Sequence, residues 1–407
     1  MLRATVLGAL SALCGSVIAS GIRGVNLAGW LTLEPFITPS LFENLDPEAP
    51  DSPFKSAPNA DYGLGQKVGV EIAQSMLRNH WETFYSEEDF KQIAALGFTH
   101  VKIPMGHWAF KNSDPNIYVS GQTEYLSKAL QWAADHDLKL WVSLDNYPEA
   151  DYNSSEILTA RPSNIEETIE VIANLITKYG TGDDDSQNVE AIELPWIPPQ
   201  VESNQQVIQF YESVLREVRS RSNINVVLKE VPSIVPLMNT MNNQINQQYD
   251  REGDIFYTSR EYPALSRPFA KTSIYQRIQE ACRISKMHQE AASLNSVIGA
   301  FSAAMDDCAK WYNGFGVGRS YNGTYGGGGI QSPIGSCEMR NDPSRWTEEE
   351  FLDTSRYLEG QLSAWNQLGG WFFWTYKTES EFQWDYHRLA QRNLVPDFNS
   401  SLINICL

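Results

Sequence analysis

Positive charge is scarce in this 407-residue chain: 31 Lys and Arg face 50 Asp and Glu, a formal net charge of −19. A nucleic-acid partner is excluded on that ground, because neutralising phosphates takes clustered cations that such a surface lacks. Histidine is sparse as well. The six, at 80, 100, 107, 136, 288 and 387, show no HExxH or other paired ligand spacing, so no metal site is expected. His107, beside Trp108, reads as a packed or capping histidine. No Gly-x-Ser-x-Gly elbow points to a serine hydrolase, and no GxGxxG follows an early strand, so no cofactor is expected. Beyond residue 20 no stretch approaches the ~20 apolar residues of a membrane span. What the chain has in quantity is apolar and aromatic material. With 42% hydrophobic residues and 12 Trp it can offset the entropy of ordering a core, which excludes a disordered chain.

Residues 1–20 carry Arg3, an apolar run from Val6 to Cys14 and then small residues ending near Ala19 and Ser20. This is the pattern of a secretory signal, which leaves 21–407 as the mature domain. Cleavage removes Cys14 and leaves Cys282, Cys308, Cys337 and Cys406. An even number in an exported chain suggests two disulfides, with three pairings open. Sequons at Asn153, Asn322 and Asn399 are compatible with N-glycans and with export.

Along the chain, short β-rich runs alternate with helical patterns. Strands are predicted at 24–27, 99–104, 138–144, 189–194, 225–230, 254–258, 296–301 and 370–376. Several are continuously apolar, as strands buried on both faces should be. Helices are predicted at 123–135, 164–179, 205–220 and 274–290. Two more open on capping boxes: one at Ser86, closed by Gly97, and one at Thr347, running to about Leu368. Eight strands with interleaved helices describe a single (β/α)₈ TIM barrel of the α/β class. The glycine-rich segment 314–333 has no helix, Lys or Thr in register to hold phosphate, and reads as a flexible surface loop.

In such a barrel chemistry sits at the C-terminal strand ends, and there the motifs are long. They include Arg23-Gly24-Val25-Asn26-Leu27, Gly29-Trp30-Leu31, Leu33-Glu34-Pro35, and Ile37-Thr38-Pro39-Ser40-Leu41-Phe42-Glu43. Further on stand Ile103-Pro104 with Gly106, Trp108-Ala109-Phe110, Ser302-Ala303-Ala304 with Asp307-Cys308-Ala309-Lys310-Trp311, and Phe373-Trp374-Thr375 with Lys377-Thr378-Glu379. In type and order, from about residue 22 to Cys406, they resemble the fungal exo-β-1,3-glucanases of the family 5 glycoside hydrolases. The resemblance implies a barrel domain, an extracellular or cell-wall setting, β-1,3-glucan as partner, and the pairs Cys282–Cys406 and Cys308–Cys337.

Retaining glycosidases need two carboxyls about 5–5.5 Å apart, one to protonate the leaving oxygen and one to attack the anomeric carbon. The family's acid/base is the Glu of an Asn-Glu-Pro motif after an Ile-Glu-Leu strand. Here Ile192-Glu193-Leu194 leads into Pro195-Trp196-Ile197-Pro198, so Ile197 holds that position. The family's nucleophile lies in Gly-Glu-Trp-Ser; here Gly299-Ala300-Phe301-Ser302 puts Ala300 in its place. Neither side chain can carry a proton or an attacking electron pair. The surroundings differ too: Lys102 stands for an Arg, Asp145 for a His, Arg260-Glu261-Tyr262 for His-His-Tyr, and Tyr376 for a Trp. Glu34, Tyr262 and Trp374 match the family's sugar-binding residues.

The expectation is a secreted, monomeric pseudoenzyme that binds glucan or regulates its processing. Two alternatives stand beside it. One is an active glucosidase using relocated carboxylates, Asp145 with Glu261. The other is a structural scaffold of the wall or spore surface.

Overall fold

All eight apolar runs form strands: β1 Ile22–Asn26, β2 His100–Met105, β3 Lys139–Leu144, β4 Ala191–Glu193, β5 Asn225–Lys229, β6 Ile255–Arg260, β7 Asn295–Phe301 and β8 Gly370–Phe373. Every neighbouring pair is parallel, and β8 returns to β1 with Ile22 opposite Gly370 and Val25 opposite Phe373, closing the barrel in sequence order. The computed structural model describes residues 21–145, 162–180, 189–195, 204–229, 245, 247–250, 253–290, 295–328, 332–396 and 405–406. Around the barrel lie α1 Val70–Phe84, α2 Glu87–Ala95, α3 Gln122–Asp135, α4 Pro162–Tyr179, α5 Asn204–Arg221, α6 Ile274–Glu290 and α7 Glu348–Trp365. This is the (β/α)₈ barrel.

The helix starts follow their capping chemistry. Ser86 N–H donates to Asp89 Oδ2 at 2.8 Å at the head of α2, and Thr347 N–H donates to Glu350 Oε2 at 2.8 Å at the head of α7. Each bond satisfies a backbone donor that the helix leaves open. At the end of α7, Gly370 has φ of 144°, and a Cβ there would meet Ile22 O at 2.2 Å, so only glycine lets β8 begin against β1.

Side chains alternate across each strand with period two, and inside the barrel this produces layers. The lower layer is apolar: Trp141, Ala191, Val227, Val297 and Phe372 pack together with Ile22 and Phe256. A Cβ on Gly24 would lie 2.1 Å from the Phe372 ring, so a missing side chain on β1 makes room for a large one on β8. Two residues further along the strands the layer turns polar, with Asn26, Lys102, Ser143, Glu193, Lys229 and Thr258 all buried.

Two disulfides pin the periphery. Cys282 of α6 is bonded to Cys406, and Cys308, just after β7, is bonded to Cys337. Both are the pairs that the family resemblance implied. Among the described residues no helix is long and apolar enough to cross a membrane.

Candidate functional site at the C-terminal mouth of the barrel

The polar layer is an ion-paired floor. Glu193 Oε1 accepts from Lys102 Nζ at 3.0 Å and from Thr258 Oγ1 at 2.7 Å, while its Oε2 lies 3.3 Å from Lys229 Nζ. Lys102 also donates to Gly299 O at 2.8 Å, and Lys229 donates to Ser143 Oγ at 2.8 Å and Asp145 Oδ1 at 2.9 Å. Burial pushes the Glu193 carboxyl up, but Lys102, Lys229 and the Ser143 and Thr258 hydroxyls outweigh it and hold the group well below the usual carboxylate range. Burial pulls the Lys102 ammonium down to about 8 against the attraction of Glu193. Gly299 belongs to this floor. A Cβ there would sit 2.8 Å from Thr258 Cβ and 3.2 Å from Glu193 Oε1.

Above the floor, Asp145 faces Lys229 and, at 3.4 Å, Arg260 Nη2. Burial raises its pKa, yet the two cations hold it below the ordinary aspartate value. Arg260 lies over the Trp374 ring, 5.7 Å from its centroid. Glu34 behaves in the opposite way. Burial first, and then repulsion from Asp145, push its carboxyl up to about 8, although Arg260, the Trp374 indole and the Gly29 backbone N–H oppose the rise. Its Oε1 is buried with no hydrogen-bond partner among the described residues. At neutral pH the mouth thus holds a protonated Glu34 and an ionised Asp145.

Ala300, which the resemblance puts at the nucleophile position, is 1% exposed and belongs to a cluster with Ala28, Phe36, Ile37, Ala304, Ala309, Trp374 and Trp384, with Tyr262 and Tyr312 alongside. Its carbonyl accepts from Glu261 N–H at 2.8 Å. Ala300 itself carries no ionisable atom. Ile197 and Trp196 lie outside the described residues, as do residues 1–20, Asn153 and Asn399; Asn322 is half-buried, with its Oδ1 accepting from Thr324 Oγ1 at 2.7 Å.

The suggested substitutes face different partners. Asp145 is paired within the barrel, whereas Glu261, the next residue after Arg260, turns to His288 of α6, whose Nε2 is 3.7 Å away. Glu261 follows the end of β6 at Arg260 and lies on the side of Ser259, whose Oγ is 3.2 Å from the same His288 Nε2. The carboxyls in electrostatic contact with Asp145 are Glu193, in the floor, and Glu34. Asp306 and Asp307, after β7, serve the loop: Asp306 pairs with Arg340 at 2.8 Å, and Asp307 accepts from the Ser320 and Tyr321 backbones at 2.6 and 2.9 Å. His107 has its pKa lowered to about 4 by burial and packs against Trp108.

Sequence reasoning missed Lys229, whose ammonium joins Glu193 to Asp145. The signal was available: Lys229 stands two residues after Val227, as Glu193 stands two after Ala191, so both point into the barrel. Among the described residues no group of three His, Cys, Asp or Glu could hold a metal ion.

No family model matches the chain. Curated relatives do. A glucan 1,3-beta-glucosidase of Lachancea kluyveri is 36% identical over 92% of this chain and 86% of its own. A probable glucan 1,3-beta-glucosidase A of Emericella nidulans is 33% identical over 95% of this chain and 93% of its own. The sporulation-specific glucan 1,3-beta-glucosidase of Saccharomyces cerevisiae is 33% identical over 95% and 88%. Among solved structures, rutinosidase from Aspergillus niger superposes with a TM-score of 0.66 over 92% of this chain and 98% of its own; at 14% identity it shows the shared fold alone. At that level of identity, over nearly the whole of both sequences, the chain belongs to the fungal glucan 1,3-β-glucosidase family.

Proposed function

We propose that this member of the family holds β-1,3-glucan without cleaving it, as a secreted protein of the cell wall or extracellular space whose mature domain is 21–407. The observation that carries the reading is Ala300, a buried methyl group in an apolar cluster with Phe36, Trp374 and Trp384 where the relatives' reaction needs an attacking carboxylate. Ile197 at the acid/base position removes the proton donor in the same way. The mouth keeps a means of binding. Trp374 supplies an indole that is 7% exposed and lies under Arg260, Glu34 a polar group beside it, and Tyr262, packed 5.4 Å from Trp384, extends the aromatic cluster. The direct test incubates purified protein with laminarin and with a nitrophenyl β-glucoside. Binding of laminari-oligosaccharides with no released glucose is the expected result. Turnover close to that of an active relative contradicts the proposal, and absence of any binding heat at millimolar sugar favours a scaffold role instead.

One observation supports a second reading, an active glucosidase. Glu34 and Asp145 have their pKa values driven apart, one upward and one downward, as a general acid and a carboxylate nucleophile require. If this pair does the chemistry, Glu34→Gln and Asp145→Asn each abolish glucose release. The ion pairs that Asp145 makes with Lys229 and Arg260 weigh against its acting as a nucleophile.

A further inference from the structure

The glycine-rich segment after β7 forms one wall of a cavity of about 390 Å³, lined by Glu48, Ala309, Trp311, Tyr312, Arg319 and Thr324 together with Gly314, Gly316 and Gly318. The three glycines alternate with larger residues and have φ of 102°, 72° and 79°, so the backbone turns back on itself at every second residue. A Cβ on Gly318 would meet Thr324 O at 2.2 Å, and this contact brings the two sides of the loop together. Trp311 also has a positive φ, 62°, which a bulky side chain adopts only when its surroundings impose it. Its indole donates to Glu48 Oε1 at 2.5 Å, and its ring rests on Phe315 at 5.0 Å.

The lining has the mixed chemistry of a polyhydroxylated ring. Trp311 and Tyr312 offer apolar surface, Glu48 an acceptor and Thr324 a hydroxyl. Arg319 offers a donor whose buried Nε has no partner among the described residues. A buried donor left open costs free energy until a ligand supplies an acceptor. A small oxyanion would satisfy Arg319 but would meet the Glu48 carboxylate in the same cavity.

The cavity also adjoins the mouth. Tyr312 lines it and packs against Trp384 at 5.2 Å, and Trp384 packs against Tyr262 at 5.4 Å. Tyr312 is thus shared by the two places, lining the cavity and standing in electrostatic contact with Arg260 and Glu34 of the mouth. We infer that the cavity is a second saccharide subsite, which takes a neutral pyranose unit of a glucan whose other units lie in the mouth. The inference rests on the glucan-binding reading above and extends it to chain length.

The test is calorimetric titration of the full-length protein with laminari-oligosaccharides of increasing length, from the disaccharide upward, using wild type, Arg319→Met, Glu48→Gln and Trp374→Ala. Wild type is expected to bind longer oligosaccharides more tightly than the disaccharide. Arg319→Met should weaken the longer ones about tenfold, the loss of one hydrogen bond to a charged group, and leave the disaccharide unchanged. Glu48→Gln, an exposed and nearly isosteric change, should move the same way without the risk to folding. Trp374→Ala should weaken every length. If Arg319→Met and Glu48→Gln both bind all lengths as wild type does, the subsite is refuted and glucan binding at the mouth stands. If wild type binds no oligosaccharide, the mouth reading falls and this one with it. Inorganic phosphate bound in an Arg319-dependent way, with no gain for longer sugars, would also overturn the subsite.

Discussion

Glu193→Gln is the sharpest probe of the barrel interior. The carboxylate is 1% exposed and answers two buried cations, Lys102 at 3.0 Å and Lys229 at 3.3 Å, besides the Thr258 hydroxyl. The amide keeps the shape and one acceptor oxygen but leaves two ammonium groups with too little negative charge in a dry layer. Removing one partner of a buried ion pair costs about 3–5 kcal/mol, most of it the price of the stranded charge. Urea unfolding followed by circular dichroism should show a lower midpoint with an unchanged slope. The deficit should also depend on pH in a definite direction. The folded-state pKa of Glu193 is depressed, so its contribution is present above the unfolded value near 4.5 and is lost as pH falls through the folded value. The gap between variant and wild type is therefore full at pH 7 and narrows only in acid. The double variant Lys102→Met with Glu193→Leu should recover part of the loss, because it removes charge on both sides. A Glu193→Gln protein within about 1 kcal/mol of wild type at pH 7 would show that the floor is not held by these charges.

Three other outcomes follow from named contacts. Glu34 has its pKa raised by burial to about 8, so the stability tied to its neutral form is present below about 4.5 and is lost as pH rises through 8; Glu34→Gln should remove that part of the slope in unfolding measured from pH 5 to 8.5. Gly299→Ala should lower the unfolding free energy by about 1–3 kcal/mol, because the added methyl meets Thr258 and Glu193 at less than van der Waals separation. Replacing Cys308 and Cys337 together by Ala opens a loop spanning 29 residues and should cost about 2–4 kcal/mol, read as a shift of the urea midpoint relative to the oxidised protein.

Architecture was largely legible because it rests on local rules. Runs such as Val-Ile-Gly-Ala-Phe in β7 and Leu-Trp-Val-Ser-Leu in β3 are apolar on both faces, and only a strand between helices and a filled barrel interior accommodates them. The capping boxes at Ser86 and Thr347 fixed two helix starts for the same reason. Strand limits were less sharp: the last strand was read to 376, while β8 ends at Phe373 and its continuation hydrogen-bonds to other loops, Trp374 N–H to Phe301 O at 2.7 Å and Thr375 N–H to Trp384 O at 2.8 Å.

The site was only partly legible, and the reason is that it depends on which strands meet. Ala300 could be placed from its motif, but the apolar cluster it belongs to brings together residues from 28 to 384. Asp145 and Glu261 looked equivalent as strand-end acids, yet one faces two cations in the barrel and the other a histidine on α6. Glu34, read as a sugar ligand, gains its raised pKa from burial and from Asp145, more than a hundred residues away in sequence. Within the segment read as a surface loop, Gly314, Gly316, Gly318, Arg319 and Thr324 also wall a cavity, with positive φ at the three glycines.

Whether the barrel is silent, as Ala300 and Ile197 at the proposed carboxylate positions require, is decided most directly by following glucose release from laminarin by the purified, disulfide-intact protein, beside an active family member at equal concentration. The account predicts no glucose above the no-enzyme background while laminari-oligosaccharides still bind. Sustained release that is abolished by Glu34→Gln or Asp145→Asn would contradict it.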